Sequence, residues 1–225
     1  MTSPRRALVA IGSGKGEQSA SVSLSRHLVG RLAARGVECE TVHLHAVFRD
    51  EAAYARLLHD ADFADLLIVS TPLYVDSLPY LVTRFLEGFA ARRAAAGGGP
   101  RGGFACVVNC GFPEARQCET AIAIGREFAG EAGFAWLGGL MLGGGEALGG
   151  KPLERLGGMV RYVTRALDLA GDALARGEAI PSEAVGLMAL PLVPPVLYRL
   201  LGSLGWKRMA RRYGTQGRLD ARPYE

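Results

Sequence analysis

The chain has 225 residues, with 26 Lys and Arg against 22 Asp and Glu, 49% apolar and 21% charged. That length suits one α/β domain with an appendage, and that composition excludes a disordered chain. Residues 181–225 carry seven basic and three acidic side chains, leaving 19 of each sign before them, so the formal net charge of +4 resides in the tail. A neutral body argues against a nucleic-acid reader, and 31 glycines without a three-residue period exclude collagen and call for many tight turns.

Arg5-Arg6 leads an apolar run that Gly12 ends too soon for a secretory h-region, so a cytoplasmic location is expected. Cys39, Cys106, Cys110 and Cys118 form no C-x-x-C pair and are expected to be reduced, mostly buried thiols.

Ala7 to Ile11 reads as a strand buried on both faces, and Gly12-Ser13-Gly14 follows it. Val22, Leu24, Leu28, Val29 and Leu32 fall at helical spacing up to Gly36, and Val37 to Leu44 reads as the second strand. Asp50 caps a short helix with Tyr54, Leu57 and Leu58 on one face, and Leu66 to Val69 is a third strand ending at Ser70-Thr71-Pro72. Leu78, Leu81, Val82, Phe85, Leu86 and Phe89 mark an amphipathic helix, which the flexible linker Ala96 to Gly103 separates from a fourth strand, Phe104 to Val108. A helix from about Glu114 to Glu131, a fifth strand from Phe134 to Leu142 and the glycine cluster at 143–145 come next. The last helix of the body carries Leu156, Met159, Val160, Val163, Leu167, Ala170 and Leu174 and closes at Gly177.

Five strands alternating with helices predict a doubly wound, three-layer parallel sheet. The sixth strand of a dinucleotide-binding sheet is lacking, so the expected order is the flavodoxin-like 2-1-3-4-5, with residues 1–180 as the domain and 181–225 as a C-terminal extension. In that order the loops leaving strands one, three and four converge at the switch point, where a ligand is expected.

The first loop, Gly12 to Ser21, opens into a helix, and its glycines, Ser13, Lys15, Ser19, Ala20 and Ser21 suit a phosphate cradle. Ser13-Gly14-Lys15-Gly16 superficially looks like the start of a deviant ATPase loop, but no second Gly-Lys precedes Ser/Thr, and strand three ends without a magnesium-binding Asp. In the second loop Pro72 sets the backbone, and Leu73, Tyr74 and Val75 present an apolar edge and an aromatic plane. The third loop, Asn109-Cys110-Gly111-Phe112, offers backbone N–H groups and the Asn109 amide.

On these segments, above all Pro72-Leu73-Tyr74 with Asp76-Ser77-Leu78-Pro79 after it, residues 7 to about 176 resemble the flavodoxin-like NAD(P)H-dependent FMN reductase family. Gly14-Lys15 stands where that family often has Pro-Arg. The resemblance implies FMN held by the thirteen residues named in the three loops, NAD(P)H as reductant, and electrons passed to a small acceptor such as a quinone or flavin. The alternative is a flavodoxin-type electron-transfer or flavin-binding module without turnover of its own, in one form associated with a membrane.

Cys110 has no vicinal partner in the sequence and is expected to be bland, and His27, His43, His45 and His59 are placed away from the convergent loops, with no metal-ligand spacing. Residues 184–206 are apolar except Arg199, and Lys207, Arg208, Arg211 and Arg212 follow. Pro191, Pro194 and Pro195 are expected to break any long helix there, so the tail should dock on the body or on a partner copy rather than span a membrane. Weak membrane-surface contact is the alternative, and self-association into a homo-oligomer is expected.

Overall fold

The computed structural model describes residues 2–222 except 98, 100 and 101, so part of the glycine-rich linker lies outside the described residues. In chain order the elements are β1 (Arg6–Ile11), α1 (Ala20–Ala34), β2 (Glu38–His43), α2 (Leu44–Val47), α3 (Glu51–Phe63), β3 (Leu66–Pro72), α4 (Tyr80–Ala95), β4 (Gly103–Asn109), α5 (Glu119–Glu131), β5 (Ala135–Leu142), α6 (Arg161–Ala175), α7 (Ser182–Met188) and α8 (Pro195–Arg212). The strands form one all-parallel sheet in the order β2-β1-β3-β4-β5, as expected.

Burial on both faces explains why the central strands are continuous apolar runs. Alternate residues point to opposite layers: Ala7 and Val9, Leu66 and Ile68, and Ala105 and Val107 face α1, α6 and α7 in an aliphatic layer. Leu8 and Ala10, Leu67 and Val69, and Phe104 and Cys106 face α3, α4 and α5 in an aromatic-rich layer. There Phe104 packs edge-on to Phe128 at 4.9 Å, and Phe134 stacks on Phe89 at 5.5 Å.

Several local readings are corrected. Leu44 does not extend the second strand but starts α2, and a 3-10 turn at Ala115–Cys118 precedes α5. The last body helix is two pieces, because Gly157, at φ 59° and ψ −145°, breaks the 3-10 segment Leu153–Val160 that carries Leu156 and Met159. Only glycine adopts that geometry without strain.

Residues up to Leu192 form one compact unit and Val193–Glu225 a second. Within the first, α7 packs against α6 and β5. Pro191 and Pro194 fall in the break between α7 and α8, as expected, but Pro195 starts a long helix instead of ending one: Pro194 caps α8, and Pro195 is the first of its 18 residues, where a missing N–H costs nothing. Among the described residues no helix is long and apolar enough to cross a membrane.

Candidate functional site

The first loop meets the second by close approach. A Cβ on Gly12 would strike Val82 and Thr71, so only glycine lets the chain leave β1 at that point, and Gly12 N donates to Ser70 O at 2.9 Å. The loop then makes a 3-10 turn at Gly16–Gln18 and enters α1 through Ser19, whose Oγ accepts from Val22 N at 3.3 Å as the helix cap. Ser13 Oγ accepts from Lys15 N at 3.3 Å, and Ser21 Oγ accepts from Asn109 Nδ2 at 2.9 Å. Each buried hydroxyl thus receives a hydrogen bond and keeps its own hydrogen to donate. Three O–H donors beside the N-terminus of a fifteen-residue helix form an anion-binding corner.

The third loop braces the other two. Asn109 Nδ2 donates also to Thr71 O at 3.1 Å, so both its hydrogens are spent within the frame rather than offered to a ligand. Leu73 N donates to Asn109 O at 2.7 Å, which ties the second loop to the third.

Beyond β3 the chain makes a two-residue hairpin, with Tyr74 N donating to Ser77 O at 2.9 Å and Ser77 N to Tyr74 O at 3.1 Å. Val75 (φ 48°) and Asp76 (φ 60°) are both left-handed, a conformation that is strained for a β-branched residue. Tyr74 is thereby held 46% exposed at the rim, while Val75 projects into solvent at 98%.

These loops enclose a cleft with about 80 Å³ of interior space and about 480 Å³ including its open mouth. Ser13, Lys15, Ser19, Ala20, Ser21, Pro72, Leu73, Tyr74, Asn109, Cys110 and Gly111 line it, whereas Val75 and Phe112 lie outside it.

The loop after β5 also belongs to the cleft and was not anticipated: Gly145, Glu146 and Gly149 line it. Lys15 Nζ pairs with Glu146 Oε1 at 2.8 Å, and this hydrogen bond raises the Lys15 pKa above its ordinary value. Gly150, at φ +70°, packs so closely on Gln18 that a Cβ would collide with the backbone, which seats this loop against the first. Glycine clusters after two strands were the available signal; their meeting was not visible in the order of residues.

One further expectation is corrected. His43 Nε2 lies 3.1 Å from Glu17 Oε1, and His45 lies against Gly16, so both border the first loop. Cys110 Sγ lies 3.5 Å from Phe112 O and 3.7 Å from Glu114 O, so the third loop folds around the sulfur.

No family model and no curated protein matches the chain. Solved structures match in fold. A flavodoxin of Streptococcus pneumonia TIGR4 is 16% identical over 76% of this chain and 97% of its own, with a TM-score of 0.53. A flavone reductase is 13% identical over 77% of this chain and 65% of its own, with a TM-score of 0.55. Rubredoxin oxygen:oxidoreductase from Desulfovibrio gigas is 11% identical over 78% of this chain and 36% of its own, with a TM-score of 0.53. The chain therefore has the flavodoxin-like fold, in agreement with the topology expected from its five alternating strands.

Proposed function

We propose that the cleft binds FMN and that the protein is a flavoprotein oxidoreductase, taking electrons from NAD(P)H and passing them to a small acceptor such as a quinone. The observation that carries this reading is the corner where the Ser13, Ser19 and Ser21 hydroxyls meet the N-terminus of α1 at the switch point of the sheet, with Tyr74 at its rim. The donor set fits a phosphate monoester. The enclosed space takes a phosphate-sized group, and the open mouth leaves a flat ring to lie against Leu73 and Tyr74.

When bound, FMN supplies the redox chemistry. The chain's own residues bind and orient. The hydroxyls and the amides of the first turn of α1 hold the phosphate, and Lys15 adds charge at the mouth. Pro72, Leu73 and Tyr74 present an apolar edge that excludes water from one face of the ring. Asn109, bonded to Ser21 and Thr71, keeps the three loops in register.

The test is titration of the purified chain with FMN, FAD and riboflavin, followed by NADH and NADPH oxidation with a quinone acceptor. FMN is expected to bind more tightly than riboflavin by roughly 1–3 kcal/mol, the value of charge-assisted bonds to the phosphate. Equal affinity for riboflavin removes the phosphate role of the first loop, and tight FMN binding without NAD(P)H turnover leaves an electron-transfer module.

A further inference from the structure

Two surfaces of this chain carry matching patterns. The first is a groove between α4 and α5, on the solvent side of the aromatic-rich layer, with about 370 Å³ of interior space. Leu86, Ala123 and Ile124 give it an apolar floor, and among the described residues the ionisable side chains that line it, Glu87, Glu127 and Glu131, are all acidic. On α5, Ile124, Glu127 and Glu131 follow at steps of three and four, so one face of that helix passes from apolar to acidic toward its C-terminus. The second surface is α8. Leu197, Leu200 and Leu204 are exposed there, and with Lys207 and Arg211 they alternate steps of three and four, which sets all five on one stripe. That stripe is apolar over its first turns and basic over its last.

We propose that the groove between α4 and α5 of one copy receives α8 of a second copy, with the leucines over Leu86, Ala123 and Ile124 and with Lys207 and Arg211 beside Glu127 and Glu131. The lengths agree. Leu200 to Arg211 and Thr120 to Glu131 each cover about 16 Å of helix, so both the apolar and the charged halves meet when α8 lies parallel to α5. Apolar burial supplies the affinity, and the charges fix the direction.

Charge complementarity selects this occupant over a lipid surface. A helix that lies in a membrane interface sets its apolar and basic residues on opposite faces, whereas here they share one stripe and are separated along its length. The helix must come from another copy for reasons of reach. Leu192 packs in the aliphatic layer, and three peptide steps, at most about 11 Å, lead from it to Pro195. Leu86 and Phe128 of the groove belong to the opposite layer, with the sheet and α5 in between, so α8 of the same chain cannot lay its first turns there. Because the two surfaces differ, the contact is heterologous: two copies that exchange helices close a dimer, and one-way contacts build a larger assembly. The contact is independent of what the cleft holds.

The test is analytical sedimentation of the full-length chain across micromolar concentrations. The unaltered chain should be larger than a monomer, with a dissociation constant that rises with salt. Glu127→Lys with Glu131→Lys, and separately Lys207→Glu with Arg211→Glu, set like charges against one another, and each pair of changes should weaken association roughly tenfold or more. All four side chains are exposed, so the fold should survive, which circular dichroism verifies. The two variants mixed in equal amounts should associate with each other, because acidic tails then meet basic grooves, and only a contact between copies gives that result. Ile124→Arg, which places a cation on the apolar floor, should also yield monomers. A monomeric unaltered chain, an assembly indifferent to both reversals, or a mixture that stays apart would overturn the proposal. So would monomers that float with phosphatidylserine vesicles, since α8 would then meet lipid.

Discussion

The two ends of the sheet are built on opposite rules. At the amino end, polar groups saturate one another. Asp65 Oδ2 accepts from Arg5 N at 2.8 Å and Arg6 N at 3.0 Å, while Asp65 O accepts from Gly103 N at 2.8 Å. The buried Arg93 guanidinium there donates to Ala132 O at 3.1 Å, to Gly99 O and to Asp62 at 3.3 Å. At the carboxyl end, hydroxyl hydrogens and the α1 N-terminus are turned to a cleft, Lys15 is held only by an exposed carboxylate, and Val75 is kept in a strained turn. One end spends its hydrogen-bonding capacity within the fold; the other leaves some of it turned to the cleft, and holds a strained turn beside it.

The largest expected effect breaks the closed end. Arg93→Ala removes the donor that Ala132 O, Gly99 O and Asp62 share, and breaking such a buried pair costs about 3 kcal/mol. Urea unfolding should report that loss while flavin affinity stays unchanged. A parallel loss of FMN binding would mean that the two ends are not separable.

The next effect falls at the open end. Ser19 caps α1 and, in the proposed FMN site, donates to the phosphate, and Ser19→Asp separates the two roles. Aspartate still accepts from Val22 N, so stability should change by less than about 0.5 kcal/mol, whereas it has no O–H to donate and adds a negative charge. FMN should weaken by about 2 kcal/mol with riboflavin little affected. Equal weakening of both ligands would place the phosphate elsewhere.

Much of this contrast was legible in the residues. Buried parallel strands leave continuous apolar runs, which is why Leu66 to Val69 and Phe104 to Val108 could be placed, and five strands without a sixth led to the order found. What escaped depends on contacts distant in the chain. Glu146 reaches the cleft only because β5 lies beside β4 and Gly150 seats on Gln18. Asn109 looked like a ligand donor because nothing local shows that Ser21 and Thr71 consume its hydrogens. The tail prolines were half legible: Pro191 and Pro194 interrupt the path between α7 and α8, but proline also suits a first helical turn, and position relative to the start decides that Pro195 opens a long helix.

A smaller effect sharpens the account of strain. Val75→Asn puts a residue tolerant of the left-handed region where valine is forced, and should stabilise the fold by about 1 kcal/mol. Because the Val75 side chain lies outside the cleft and in solvent, FMN affinity should hold. A rise in the thermal midpoint with unchanged FMN binding is the expected pair of results, and unchanged stability would show that the turn is not a cost.

The smallest effect concerns the pair that spans the cleft. Lys15 and Glu146 are both exposed, so the pair contributes at most about 1 kcal/mol to stability, and Glu146→Gln should leave unfolding unchanged. Its consequence lies in the cleft. A carboxylate beside the phosphate corner repels an incoming dianion and occupies the ammonium that would meet it. Removing that charge frees Lys15 and should tighten FMN a few-fold, roughly 0.5–1 kcal/mol, more at low ionic strength than at high. Riboflavin, which has no phosphate, should be indifferent. Weaker FMN binding in Glu146→Gln would reverse the assignment, because Glu146 would then hold Lys15 in place for the ligand rather than compete with it.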